Sequence, residues 1–400
     1  LLCCVSPRHN RAAVMALAPL ICDTGSGVIK AGFAGEHFPR LNFPGIVGRP
    51  MLRFDEDVGD VHLKDIMLGT EAAEVRAMLQ VSYPVANGVI QNWDDMELVW
   101  DHTFKTLGAN CSDHVVVQTE AALNPLKNRE KMCEYMIEKF GFAGVNVGVQ
   151  AILALNAQGL NTGLVVDSGD GVTHLVPIFE GFVQPAHVAR LNIAGRHITE
   201  QLVKLLQQRG YLLNSSADFE TAASIKQKMC YVAYDVEKEK KLATQTTTLE
   251  KRYQMPDTRE VKLSAERFMA PEILFNPSLF NPAGSDQKGL PEFIYDTIMR
   301  TDIDQRRTYF GRVVLSGGTT MFPGMSSRVE RELGLLTSKL KDMRINVEDP
   351  PRRKFMVYLG ASHIAKHFHE ENVADWYVSK AEYEERGAQA IHRLVPTNLS

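Results

Sequence analysis

Two short segments hold the residue types that phosphate chemistry asks for. The first is Asp23-Thr24-Gly25-Ser26-Gly27 with Lys30 just beyond it; the second runs Asp167-Ser168-Gly169-Asp170-Gly171-Val172-Thr173-His174. Each follows an apolar triplet, Leu20-Ile21-Cys22 or Leu164-Val165-Val166, and leads into a second apolar run. Strand, tight glycine turn, strand is the expected local structure for both. Turns built from glycine and serine let backbone N–H groups converge on an anion with no side chain in the way. Two of them facing each other can hold a polyphosphate: Ser26 and Ser168 donate hydroxyls, Lys30 supplies positive charge, and Asp23 and Asp167 hold a hydrated Mg²⁺ through its waters. The plainer reading is two polar hairpin turns with no ligand. Against it, the aspartates stand about one domain length apart, which predicts two related lobes, each offering a hairpin.

A pair of Asp-Thr/Ser-Gly turns also opens the lobes of an aspartic protease, where two carboxylates share a proton. The fit is poor: Asp170 adds an extra acid beside the dyad, and Lys30 has no purpose in peptide hydrolysis. Farther on, Ser316-Gly317-Gly318-Thr319-Thr320-Met321-Phe322 brings bare backbone and two apolar side chains up to a flat ring; a simple strand-to-helix turn is the alternative.

Composition narrows the classes. Lys+Arg 44 against Asp+Glu 48 leaves a net charge of -4, so no domain is built around nucleic-acid phosphates. With 44% hydrophobic and 23% charged residues, the 400-residue chain is neither disordered nor fibrous. The cysteines, Cys3, Cys4, Cys22, Cys111, Cys133 and Cys230, lack metal-ligand spacing and read as buried thiols of a reducing compartment. The apolar run Ala12 to Cys22 is about half a membrane span and leads straight into the first strand, which argues against a cleaved leader. Met15 is taken as the start of the working chain and residues 1–14 as upstream translation or a loose tail.

Helical spacing predicts helices from Asn92, over Asn128–Phe140 closed by Gly141, over Val149–Gln158 closed by Gly159, and over Arg196–Arg209 stopped by Gly210. Ala217–Glu239 reads as helical and charged. Ala243–Arg259 is Thr-rich and strand-like, and Asn276–Gly289 is a connector. Val313–Ser316 reads as a buried strand, and Phe355–Leu359 as an apolar strand ended by Gly360. Alternating strands and helices imply an α/β class. His363, His367 and Glu371 share a helix face that is expected to be solvated, as is the acidic run Asp55–Asp57.

These segments together resemble the actin superfamily over nearly the whole chain. The resemblance rests on Asp23–Gly27 through Phe33-Ala34-Gly35, Val47-Gly48-Arg49-Pro50, Asn92-Trp93-Asp94-Asp95-Met96, Asn124-Pro125 with Asn128-Arg129-Glu130-Lys131, Asp167–His174, Val314–Gly324 and Pro350–Lys354. Tyr83–Gly88, Ala217–Thr221 and Val347–Lys354 resemble the actin-related branch that joins a filament-nucleating complex.

That likeness implies an actin-like ATPase fold of the actin, hexokinase and heat-shock 70 type, with two related lobes split into four subdomains around a nucleotide cleft. The first lobe would be 15–157 plus 357–400 with a small insert at about 45–82, the second 158–356 with an insert at about 194–282. It implies ATP and Mg²⁺ as cofactors. Gly25, Ser26, Gly27, Lys30, Ser168, Gly169, Asp170, Gly171 and Val172 would meet the phosphates, and Asp23 and Asp167 the hydrated metal. Gln150, Asp167 and His174 would be the catalytic group, with Gln150 and His174 positioning water, since phosphoryl transfer asks for orientation more than for a strong base. Lys226, Gln227, Gly317, Gly318, Met321, Phe322 and Lys354 would surround the nucleoside. The implied activity is slow ATP hydrolysis at most. The implied partners are actin-related protein 3 and other complex subunits, actin, and nucleation-promoting factors, in the cytoplasm at the actin cytoskeleton, without nucleic acid or membrane insertion.

Four departures matter. Gln227 stands where the family usually has a ribose-binding glutamate, and Phe322 replaces a tyrosine. Leu333–Glu348 is shorter than the insertion expected for that branch. Met51–Lys64 is acidic where conventional actin has a Met- and Gly-rich contact loop, which argues for a templating subunit over a self-polymerising one. Val149–Leu155 and Phe355–Leu359 resemble parts of the groove that receives actin-binding peptides. A divergent self-polymerising actin stays the alternative, with a sugar-kinase-like enzyme or an aspartic protease more distant.

Overall fold

The computed structural model describes residues 17–51, 64–255, 259–280, 288–340 and 343–394. Residues 1–14, the acidic run Asp55–Asp57, nearly all of Met51–Lys64 and the middle of the Asn276–Gly289 connector lie outside them.

Both aspartate-led segments form the expected hairpins. β1 (Leu20–Thr24) is buried along its length and pairs antiparallel with β2 (Val28–Phe33), placing Asp23 opposite Lys30. β2 pairs with β3 (Leu41–Pro44), while β1 runs parallel to β4 (Val115–Glu120) and β4 to β5 (Gly144–Val149). A short strand, Val378–Ser379, closes this sheet at β5. The second sheet repeats the plan. β6 (Gly163–Ser168) pairs antiparallel with β7 (Thr173–Phe179), so Asp167 stands opposite His174. β7 also pairs with β8 (Phe182–Val183) and β9 (Ala189–Leu191), and β6 runs parallel to β10 (Val313–Ser316), which pairs with β11 (Val347–Glu348). The parallel β1–β4 and β6–β10 pairings explain why Val, Ile and Leu fill these strands without alternation, since both faces are buried, whereas β5 at the margin still alternates.

Helices cover the sheets. α1 (Trp93–Leu107) is capped by Asn92, whose side chain accepts from Asp95 N, and ends at Gly108 with φ 66°. α2 (Leu126–Glu134) continues into a wider π turn over Tyr135–Lys139, one irregular helix where a uniform one was expected. α3 (Gln150–Asn156) follows β5 directly, and α4 (Gly195–Gln208) is the expected amphipathic helix. Ala217–Glu239 divides into α5 (Ser216–Met229) and a second helix, Val236–Gln245, because Asp235 caps a new start by accepting from Lys238 N. The strand-like Thr-rich stretch is therefore helical until Gln245, and its strands are Lys251–Gln254 and Glu260–Leu263.

Phe355–Leu359 is not a strand. Arg353–Phe355 forms a 3₁₀ turn, and Met356 begins α6 (Met356–Glu370). Its first turns are buried on every side, so no helical period is legible. Gly360 is a close-packing point: a Cβ there would lie 1.8 Å from the Leu153 carbonyl of α3. These two helices lie between the sheets in one apolar cluster with Ile21, Val117, Val165 and Val314. His363 and His367 are on the exposed face of α6. Cys22, Cys133 and Cys230 are buried, whereas Cys111 is half-exposed. No described helix is long and apolar enough to cross a membrane.

Candidate functional site

A cleft of about 590 Å³ opens between the two hairpins. Gly25, Ser26, Gly27 and Lys30 line one wall; Asp167, Gly169, Asp170, Gly171, Val172 and His174 line the other. Their meeting is close enough to favour glycine. A Cβ on Gly27 would lie 2.8 Å from Asp170 Cβ, and one on Gly171 would lie 3.2 Å from Ser26 Oγ. Ser26 Oγ accepts from Gly88 N at 2.9 Å, tying the first turn to the Tyr83–Gly88 segment.

Asp23 is 2% exposed and well supplied with donors. Lys30 Nζ donates to its Oδ2 at 2.7 Å, Thr119 Oγ1 to its Oδ1 at 2.7 Å, and Gln150 Nε2 to Oδ1 at 3.3 Å. Gln150 also donates to Thr119 Oγ1 at 3.3 Å, which fixes its amide at the cleft floor. Burial pushes the Asp167 carboxyl above its ordinary range and the Asp23 charge adds to this, while the nearby Ser316 hydroxyl and Lys30 work the other way. His174 is driven down to about 4, first by burial and then by Arg190, so its imidazole stays neutral at pH 7.

The nucleoside candidates lie along the second sheet and α5. Lys226 is buried, its Nζ donates to the Gly195 carbonyl at 2.7 Å, and burial lowers its pKa. Gln227, next to it, is exposed at the rim. Gly317 has φ 89°, and a Cβ there would meet Ser168 O at 2.2 Å. Thr319 Oγ1 donates to Gly169 O at 2.6 Å, pinning the second turn. Gly318 and Met321 face the cleft, Phe322 is mostly buried, and Lys354 is exposed at the edge with Nζ 4.7 Å from the Phe355 ring centre.

Ser168 departs from expectation. It is fully buried, its hydroxyl shares a 2.7 Å hydrogen bond with Thr173 Oγ1, and it is not among the cleft-lining residues. Spacing did not point to Thr119 or Arg196. Thr119 lies on a neighbouring strand remote in sequence. Arg196 pairs with Asp170 at 3.1 Å and stacks 3.9 Å over the Tyr83 ring, joining the two walls. Arg76 adds a cross-cleft ion pair to Glu220 at 3.2 Å.

Duplicated hairpins on two mixed sheets, facing across a cleft, are the arrangement of the actin-type fold. The actin family model matches residues 15–396, and the chain belongs to that family. Within it, the chain is 47% identical over 384 residues to actin-related protein 2 of Acanthamoeba castellanii, covering 94% of this chain and 98% of that protein. It is 47% identical over 385 residues to actin-related protein 2 of Arabidopsis thaliana, with the same coverage of each. The Oryza sativa subsp. indica actin-related protein 2 is 48% identical over 384 residues, 94% of this chain and 97% of its own. Family membership displaces the protease reading, and the geometry agrees: a carboxylate bonded to the Lys30 ammonium is not free to share a proton with Asp167.

Proposed function

We propose that the chain binds ATP with Mg²⁺ between its hairpins and does the work of actin-related protein 2, the subunit that, with actin-related protein 3 and other subunits, nucleates branched actin filaments by imitating a filament end. The observation that carries the nucleotide part is the pair of glycine turns meeting across the cleft, where a Cβ would clash at Gly27 and be tight at Gly171. The subunit role rests on the likeness to the three actin-related protein 2 chains.

The donor set suits that ligand. Backbone N–H groups of Gly25–Gly27 and Asp170–Val172, with the Ser26 hydroxyl, are suited to donate to phosphate oxygens, and Lys30 lines the same cleft while paired with Asp23. Asp23 and Asp167 supply carboxylates for a hydrated divalent ion, which when bound would neutralise phosphate charge. Gln150, anchored on Asp23 and Thr119, and neutral His174 are suited to orient a water. Neither is a strong base, which fits slow hydrolysis and a nucleotide that mainly fastens the lobes. Lys226, Gln227, Gly317, Gly318, Met321, Phe322 and Lys354 form the nucleoside end. We take the lobes as 15–157 plus 357–400 and 158–356, with a cytoplasmic site of action on the actin cytoskeleton.

Affinity capture of the full chain from its own cells, with identification of what co-purifies, tests the subunit role: an actin-related protein 3 chain in fixed ratio is expected. Purified chain that pellets as a homopolymer under actin-polymerising conditions would instead make it a divergent conventional actin.

A further inference from the structure

Each hairpin aspartate has a hydroxyl residue beside it on the adjacent parallel strand. In the first lobe Cys22 of β1 is paired with Gln118 of β4, which brings Thr119 alongside Asp23. Thr119 is 1% exposed, and its Oγ1 donates to Asp23 Oδ1. In the second lobe Asp167 of β6 is the register partner of Ser316 of β10, and Ser316 is 0% exposed. The internal repeat therefore extends beyond the turns to the strand that supports each turn.

The two copies differ in one respect. Ser316 Oγ makes no hydrogen bond of full geometry, although it lies close enough to the Asp167 carboxyl to favour its charge. A buried hydroxyl left without a partner is a cost to folding. Yet Ser316 lines the cleft, and the chain passes so close to Asp167 that a Cβ on Gly317 would lie 3.0 Å from Asp167 Oδ1. The Asp167 carboxylate is the acceptor at hand.

We propose that Ser316 is a positioning residue for Asp167, its hydroxyl donating to that carboxylate in the loaded cleft as Thr119 donates to Asp23. The two lobes then present matched carboxylate–hydroxyl pairs to the hydrated metal. This rests on the Mg²⁺-nucleotide reading above.

The test uses the full chain in the assembly from which it is isolated, with Ser316→Ala and the similar-sized, weaker donor Ser316→Cys. ATP affinity is measured in excess Mg²⁺ and again in EDTA, beside the unfolding midpoint of nucleotide-free protein. Removing an unpaired hydroxyl should leave the nucleotide-free midpoint unchanged or raise it, whereas a purely structural serine would lower it. ATP binding should weaken about tenfold in Mg²⁺ and less than twofold in EDTA, as expected for one hydrogen bond to a charged group. Equal losses in both media, or none in either, overturn the proposal. Wild-type protein that gains nothing from Mg²⁺ removes the metal reading and this proposal with it; a Mg²⁺-dependent wild type with an unmoved Ser316→Ala removes this proposal alone. Should Ser316→Ala fail to fold, Ser316→Cys carries the same comparison.

Discussion

Lys30 Nζ lies 2.7 Å from Asp23 Oδ2, and the two residues are direct partners across the first hairpin. The ammonium that would serve a phosphate under the proposed function is thus held by a buried carboxylate. Replacing Lys30 by Met leaves Asp23, 2% exposed, with only Thr119 and Gln150 as neutral donors. Removing one partner of a buried pair is costly, and the remaining donors offset part of that. Lys30→Met should unfold about 2 kcal/mol more easily in urea. Adding Asp23→Asn should restore most of the loss, because a neutral amide has no need of the ammonium; a strictly additive double variant would contradict this.

The equivalent position in the second hairpin is His174, partner of Asp167. Its imidazole is 6% exposed and titrates near 4 in the fold against an ordinary 6.5. The unfolded chain therefore binds a proton that the folded one refuses, so stability is full above pH 6.5 and falls as pH drops towards 4. From pH 7 to 4.5 this single group should remove about 2 kcal/mol. Urea unfolding of His174→Gln should lack that share of the acid loss; parallel pH profiles for the two proteins would refute the assignment.

The surroundings of Asp167 disfavour its charged form, with burial the main cause and Asp23 adding to it. The fold consequently does not depend on that charge. Asp167→Ala should keep its circular dichroism spectrum and a midpoint within a few degrees of wild type, while binding ATP in Mg²⁺ at least tenfold more weakly. Unchanged nucleotide affinity would sink the site.

The hairpins were legible because glycine, serine and aspartate at fixed offsets follow from turn geometry and need no tertiary information. The helices from Asn92 and over Arg196–Arg209 were legible for a similar reason, one by its cap and the other by its apolar stripe. Residues decided by distant packing were not. Phe355–Leu359 looks like a strand because burial on every side of α6 erases the helical period, and Gly360 looks like a stop because its contact is with Leu153 on another helix. Ser168 reads as a match to Ser26, but as the last residue of β6 it is the register partner of Thr173 and its hydroxyl bonds Thr173 across the hairpin, buried away from the cleft. Thr119 and Arg196 carry no local signal, since their partners Asp23 and Tyr83 are far away in the chain.

Arg196 joins the two sides of the cleft, stacked on Tyr83 from one and paired with Asp170 on the other. A ligand touching both lobes is retained by whatever opposes their separation. Arg196→Ala should speed release of a fluorescent ATP analogue about five- to tenfold, with a smaller effect on its binding rate. The Asp170 pair is partly exposed and screened by salt, whereas stacking is not, so high salt should narrow the difference without abolishing it. Identical release rates at low salt would show that the contact does not restrain opening.

Gln227 gives the most direct test of the nucleoside end. It is exposed at the cleft rim, beside buried Lys226, where the family usually has a glutamate. A carboxylate accepts hydrogen bonds from ribose hydroxyls more strongly than an amide oxygen does, by about 1 kcal/mol. Gln227→Glu should therefore tighten ATP binding about fivefold in calorimetry. The gain should vanish for an ATP analogue lacking both ribose hydroxyls, because the added charge then has nothing to accept from. A gain that persists with that analogue would place Gln227 away from the sugar, and a loss with ATP itself would mean that the new carboxylate acts chiefly on the phosphates, by repulsion.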